Sequence, residues 1–188
     1  VVHGADSRAS LLEALDPRIQ KELIRSIPQD DAARIIECMP HDDAADLLGY
    51  LDDSLSSTLL ERMHGADSVK VEGLLGYERD TAGGIMATDF VALQEDTAAS
   101  DAIDVLRTSV DVDMVFYLYV VNEFGHLVGV VSLRNLVTVP PTTKLKAIME
   151  SRVIRVKPET DQEEVAALVA RYNFLADPVI DEANTLMG

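Results

Sequence analysis

Apolar positions in the first part of the chain come in pairs set between short acidic breaks. Pro28-Gln29-Asp30-Asp31-Ala32-Ala33-Arg34-Ile35-Ile36 returns twelve residues later as Pro40-His41-Asp42-Asp43-Ala44-Ala45-Asp46-Leu47-Leu48, and Pro17 opens a weaker copy. Proline in a first helical turn forfeits no hydrogen bond, an Asp pair favours the positive end of the helix dipole, and the apolar pair supplies a face to bury. Each copy therefore predicts one short helix. Helices of about three turns, apolar on one side, are marginal alone and must stack, so the pattern predicts a superhelical stack of short α-helices from Leu11 to about Leu75. Asp30 and Asp31 read as N-terminal caps. Asp42 and Asp46, spaced i, i+4, share a face, where like charges cost roughly a few tenths of a kcal/mol unless a cation bridges them.

A longer repeat follows. Met86, Val91, Leu93, Thr97 and Asp101 recur 63 positions later as Met149, Ile154, Val156, Thr160 and Glu164. Val121-Asn122-Glu123 with Leu127 and Gly129 recurs at a displacement of 59 as Ile180-Asp181-Glu182 with Leu186 and Gly188. Each copy reads as a strand, a helix and a hairpin. In the first, Val91 to Leu93 is the strand, Thr97 caps a helix Ala98 to Ser109, Tyr117 to Val121 is buried, and Glu123-Phe124-Gly125-His126 turns into Leu127 to Ser132. In the second, Val153 to Val156 precedes a cap at Thr160 and a helix Asp161 to Tyr172. That copy stops at Leu186-Met187-Gly188, which predicts a frayed sheet edge and a piece of something longer. The expected organisation is α+β: a helical domain over 1–76, a first β-α-β-β-α domain over 77–141, and a truncated second over 142–188.

Charge narrows the partners. The net charge of -17 opposes nucleic acid and favours cations. Both halves share it, since residues 1–76 alone carry 15 acidic and 7 basic side chains. The longest apolar stretch, Met114 to Val121, falls far short of the roughly 20 residues a spanning helix needs, so the chain reads as soluble. Cys38, the single cysteine, excludes an internal disulfide and reads as a small core residue. His3, His41, His64 and His126 are scattered, and no nucleophile motif or Gly-rich phosphate loop is present, so the chain is not read as an enzyme. Gly83-Gly84 and His64 to Gly76 are the natural places for a hinge, though Gly83-Gly84 reads equally as a plain turn.

The tandem unit, with Val120-Val121-Asn122-Glu123-Phe124-Gly125-His126-Leu127-Val128-Gly129-Val130-Val131-Ser132-Leu133-Arg134 at its centre, resembles a CBS domain pair. Tyr77-Glu78-Arg79-Asp80-Thr81-Ala82-Gly83-Gly84-Ile85-Met86 is similar to the entry motif of the MgtE family of magnesium transporters and channels, as are Tyr119-Val120-Val121 and Thr160-Asp161-Gln162-Glu163-Glu164-Val165. With the acidic helical domain, the resemblance covers nearly the whole chain. It implies the cytosolic, magnesium-sensing region of an integral protein of the plasma membrane, a homodimer held through its CBS domains and continuing into a transmembrane domain.

The resemblance further implies that magnesium bridges the helical and CBS domains to favour a closed state. Asp42 and Asp46 match its metal positions on the helical domain, and Asp161 and Glu163 those on the second CBS copy. Asp161 and Glu163 also suit a helix start, with Glu163 completing a capping box after Thr160. Asn173 stands where the family has an aspartate, so fewer or weaker ions are expected. The alternative is an adenine-nucleotide-sensing CBS module. For ATP or a related nucleotide, Tyr117 matches the base pocket, Arg134 the phosphate position, and Asn135 a ribose-binding position usually held by Asp; an amide accepts less readily from both hydroxyls.

Overall fold

The twelve-residue repeat folds as helices. In the computed structural model of the chain, which describes residues 3–108, 117–172 and 175–188, α1 (His3–Glu13), α2 (Pro17–Ser26), α3 (Gln29–Ile36), α4 (His41–Tyr50), α5 (Asp53–Arg62) and α6 (Gly65–Leu75) follow one another with short breaks. Burial repeats with the sequence: Ala32, Ala33, Ile35 and Ile36 are buried, and so are Ala44, Ala45, Leu47 and Leu48. Each helix packs on the next but one, α1 on α3, α2 on α4, α3 on α5 and α4 on α6. The small alanine pairs permit that close approach, because interaxial distance is set by the side chains at the contact.

Several expectations change. The stack begins at His3, ahead of Leu11. Asp30 and Asp31 do not cap: Pro28 holds the cap position without a side-chain bond, and the two carboxylates sit in the first turn, with Asp30 paired to Arg62 of α5. Cys38 is exposed in the turn after α3, and the neighbouring Met39 takes the buried position. His64 to Gly76 is no hinge, because it forms α6 and packs on α4. This first unit runs to Arg79, whose guanidinium lies 3.9 Å from the centroid of the Tyr50 ring at the end of α4.

The second unit, from Asp80, contains α7 (Ala82–Ile85), β1 (Ala92–Gln94), α8 (Ala99–Thr108), β2 (Tyr117–Val121), β3 (Leu127–Ser132), α9 (Leu133–Thr138), a 3-10 turn at Leu145–Ala147, and α10 (Gln162–Tyr172). β1 is parallel and β3 antiparallel to the central β2. One face of this sheet carries Leu118, Val120 and Val131 into a core with Ala99, Ala102, Leu136 and Leu145. Ser109, Met114 to Phe116 and Asn173 lie outside the described residues.

The two copies are tied by exchanged segments. Gln162 N–H donates to the Asp80 carbonyl at 2.9 Å, and 63 residues away from each partner Ala99 N–H donates to Thr143 at 2.8 Å. Ala82 N–H to Thr160 is matched by Leu145 N–H to Thr97, and Gly83 N–H to Pro158 by Lys146 N–H to Glu95. The segment before each copy thus closes the start of the other copy's helix. Gly83 and Gly84 belong to α7 and are held in this lattice of bonds, so they are no hinge.

The exchange also moves the helix starts by one residue. Ala98 and Asp161 pair with Lys144 and Thr81 and directly precede α8 and α10, displacing Thr97 and Thr160 from the cap position. The hairpin turns obey the displacement of 59: Gly125 (φ 81°) and Asn184 (φ 68°) are equivalent and both left-handed, the conformation glycine adopts freely and asparagine tolerates. The predicted fraying at the end of the second copy is not seen. Met187 N–H donates to the Val179 carbonyl at 2.9 Å and Val179 N–H to Gly188 at 2.8 Å. Among the described residues no helix is long and apolar enough to cross a membrane.

Candidate functional site

On the helical unit, α4 opens with Pro40 and places His41, Asp42 and Asp43 in its first turn, with Asp46 one turn on. The buried Ala44, Ala45, Leu47 and Leu48 face α2 and α6, which leaves these carboxylates on the outward side. Partial loss of water, and then the neighbouring Asp42 and Asp46 carboxylates, hold Asp43 above the usual carboxylate range. The i, i+4 reasoning selected Asp42 and Asp46 and missed Asp43, which sits three residues before Asp46 and feels both. The signal was present in the sequence as a third carboxylate within one turn.

On the second unit, Asp161 precedes α10 and accepts Glu163 N–H at 2.7 Å with one carboxylate oxygen. Asp161 is therefore the capping side chain, and the capping box assigned to Thr160 and Glu163 is not formed. Thr160 Oγ1 instead accepts Lys157 N–H at 3.1 Å. Both Asp161 and Glu163 are exposed. Among the described residues no group of three or more His, Cys, Asp or Glu is arranged to hold a metal.

Two clefts flank the junction of the copies. One, of about 180 Å³, is lined by Tyr117, Ser132 and Asn135 of the first copy, by Glu150 and Arg152, and by Ala176 to Pro178 of the second. It gathers Tyr117 and Asn135 but not Arg134, which lies exposed on α9 outside the lining. Ser132 Oγ accepts Asn135 N–H at 3.2 Å and so fixes the start of α9. Arg152 is the cation that sequence reasoning missed, because its approach to the cleft depends on the pairing of Glu150 with Val130 on β3.

The other cleft, of about 250 Å³, is lined by Met86, Asp89, Phe90, Tyr117, Tyr119 and Asp177 among others. Phe90 and Tyr119 meet edge to face with ring centroids 6.0 Å apart. Burial, then the Asp177 carboxylate and Tyr117, push the Tyr119 phenol up to about 12. Asp177 itself is raised by burial, and neither of its side-chain oxygens has a hydrogen-bond partner. Its equivalent at a displacement of 59 is the fully buried Leu118.

Comparison with known proteins places the chain. Residues 2–80 match the MgtE intracellular N domain, and residues 82–142 and 145–188 match the CBS domain. The chain is 43% identical over 120 residues to the magnesium transporter MgtE of Thermus thermophilus, which is 63% of this chain and 27% of that protein. It is 39% identical over 130 residues to the magnesium transporter MgtE of Bacillus subtilis, 69% of this chain and 29% of that protein. The match thus spans less than a third of either relative. Among solved structures, the cytosolic domain of the Mg2+ channel MgtE in complex with ATP is 37% identical with a TM-score of 0.91, covering 96% of this chain and 74% of that one. The soluble part of a magnesium transporter is 34% identical with a TM-score of 0.92, covering 98% and 73%.

Proposed function

The chain belongs to the MgtE family, and on that premise we propose that it is the magnesium-sensing cytosolic region of a magnesium transporter in the plasma membrane. Magnesium held by carboxylates of the helical unit and of the second CBS copy favours the closed state of the transporter's transmembrane domain, and CBS domains pair two such chains. The observation that carries this reading is the carboxylate triplet of α4, in which Asp43 is held above its usual range by its surroundings and by Asp42 and Asp46.

The donor set fits the ion. Magnesium is hard, keeps several waters and is usually held by one or two carboxylates rather than by an all-protein cage. Asp42 and Asp46 offer such oxygens on one helix face, and Asp161 keeps one oxygen beyond its capping bond. A dication binding one arrangement better than another shifts the population by its differential affinity, and no chemical step is needed. Magnesium titration followed by hydrogen exchange tests this. The wild type is expected to gain protection at α4 and at the start of α10, and a variant carrying Asp42→Asn and Asp46→Asn to lose the gain. Exchange indifferent to magnesium, or an equal gain in the variant, sinks the reading.

A second reading is favoured by the smaller cleft, where Tyr117, Ser132 and Asn135 converge. An adenine nucleotide fits there with its base against Tyr117 and its ribose toward Asn135, whose amide supplies one acceptor and one donor. Binding of ATP by this chain, weakened by Tyr117→Ala, is the expected result; no heat of binding by the wild type removes it.

A further inference from the structure

His64 to Gly76 and Gly83-Gly84 belong to helices or their caps, which leaves the junction of the units, where the first ends at Arg79 and the second begins at Asp80. These two neighbours are seated separately. The Asp80 carbonyl accepts Gln162 N–H at 2.9 Å and its carboxylate accepts the Gln162 side-chain amide at 3.3 Å, at the start of α10 between Asp161 and Glu163. Arg79 is held instead at the end of α4, the helix that carries Asp42, Asp43 and Asp46.

We infer that Arg79 is a latch that regulates the sharing of magnesium between the units. Seated, it leaves one peptide link between α4 and α10; released, it frees residues 76–79, slackens the tether and weakens the hold on an ion that both units share. The seat is built for a guanidinium. Its central carbon lies 3.9 Å from the centroid of the Tyr50 ring, and a Cβ at position 49 would stand 2.7 Å from Arg79 Nη2 and 3.6 Å from Leu75 Cδ2. Gly49 is therefore the floor of a notch between Tyr50 and Leu75, at a helical position where alanine is otherwise preferred. The last turn of α4 has no basic residue. Lys21 Nζ, which donates to the Tyr50 carbonyl, and Arg79 bring the cations that a helix C-terminus favours. Arg79 is exposed, so the seat opens reversibly, as weak cation–π contacts at exposed sites do. Four freed residues add roughly 14 Å of reach, and effective concentration falls as a tether lengthens beyond its span.

The effect on magnesium rests on the sensing reading proposed above; the latch does not. Trypsin separates the two, because it cuts after Arg79 only when that side chain leaves its seat for the specificity pocket of the protease. Cleavage of the Arg79–Asp80 bond in the whole chain is followed by the masses of its two products. Without magnesium, Gly49→Ala, which fills the notch and suits the helix, is expected to speed this cut roughly fivefold or more. Tyr50→Ala is expected to act alike, and Tyr50→Phe, which keeps the ring, to leave the rate unchanged. With magnesium the wild-type cut is expected to slow, at a concentration several-fold lower than in Gly49→Ala. A wild-type rate in Gly49→Ala overturns the latch, as does a rise shared equally by the cuts after Arg62 and Lys70. A faster cut with an unshifted magnesium midpoint overturns its coupling to the ion. Asp42→Asn with Asp46→Asn is expected to keep the wild-type rate without magnesium and to lose the slowing. A wild type indifferent to magnesium ends the sensing reading, and the magnesium-free rates then decide the latch alone.

Discussion

Both units of this chain are built from repeated sequence, but the repeats are used differently. In the helical unit the twelve-residue repeat is propagated along the stack, each helix meeting the next but one, so the main helix contacts stay local in sequence. In the second unit the repeat is closed on itself: the segment before each copy bonds to the start of the other copy's helix. Propagation multiplies one kind of surface, and the same first-turn acidic pair therefore recurs at Asp30-Asp31 and Asp42-Asp43. Closure instead creates paired positions around an axis, which share a backbone yet differ in side chain, as Arg152 and Asp89 do, or Leu118 and Asp177.

The difference is open to mutation. Leu118→Ala removes a fully buried side chain and is expected to cost about 3 kcal/mol, with hydrogen-exchange protection lost at both α8 and α10. Leu48→Ala, equally buried in α4, is expected to cost about as much while leaving α8 and α10 protected. Protection of α10 that survives Leu118→Ala breaks the comparison, because it shows that the second copy stands without the first.

Asp177→Leu copies the first unit's answer into its equivalent position. Removing an unpartnered buried carboxyl is expected to stabilise the second unit by about 1–2 kcal/mol at neutral pH in urea unfolding. The sign with pH follows from its raised value: the folded chain keeps the proton longer than the unfolded one, so stability falls as pH rises from the ordinary carboxylate value through the raised one. Asp177→Leu flattens that fall, and an unchanged pH profile assigns it elsewhere.

At the turns, Gly125→Asn should be close to neutral, because its equivalent Asn184 already holds the left-handed conformation. Gly125→Val should cost about 1 kcal/mol, read as a shift in the urea midpoint. The smallest effect belongs to α4. Asp43→Asn is expected to stabilise the helical unit by roughly a few tenths of a kcal/mol at neutral pH, and to remove a loss of stability that sets in as pH rises through the raised Asp43 value.

Much of this was legible because the repeats are written in the chain. Burial of Ala44, Ala45, Leu47 and Leu48 follows from the five-residue pattern they share with Ala32 to Ile36, and the left-handed turn at Asn184 follows from Gly125. What escaped depends on partners distant in sequence. The cap before α10 passes from Thr160 to Asp161 because Thr81 pairs there. Arg152 reaches the cleft because Glu150 is bonded to Val130, while the more conspicuous Arg134 follows α9 away from it. Burial of Asp177 with no partner was invisible, since a lone acidic residue before a proline reads as a turn.

The exchanged segments also set a schedule for synthesis. As the chain leaves the ribosome, helices α1 to α4 meet their partners within a few dozen residues, whereas the start of α8 waits for Thr143 to Lys146, and the segment Asp80 to Gly83 waits longer still for Pro158 to Gln162. Contacts closed across such separations form late and slowly. A nascent chain paused between the two copies therefore holds a finished helical stack and a first copy with its latch still open, the stage at which a chaperone has most to cover.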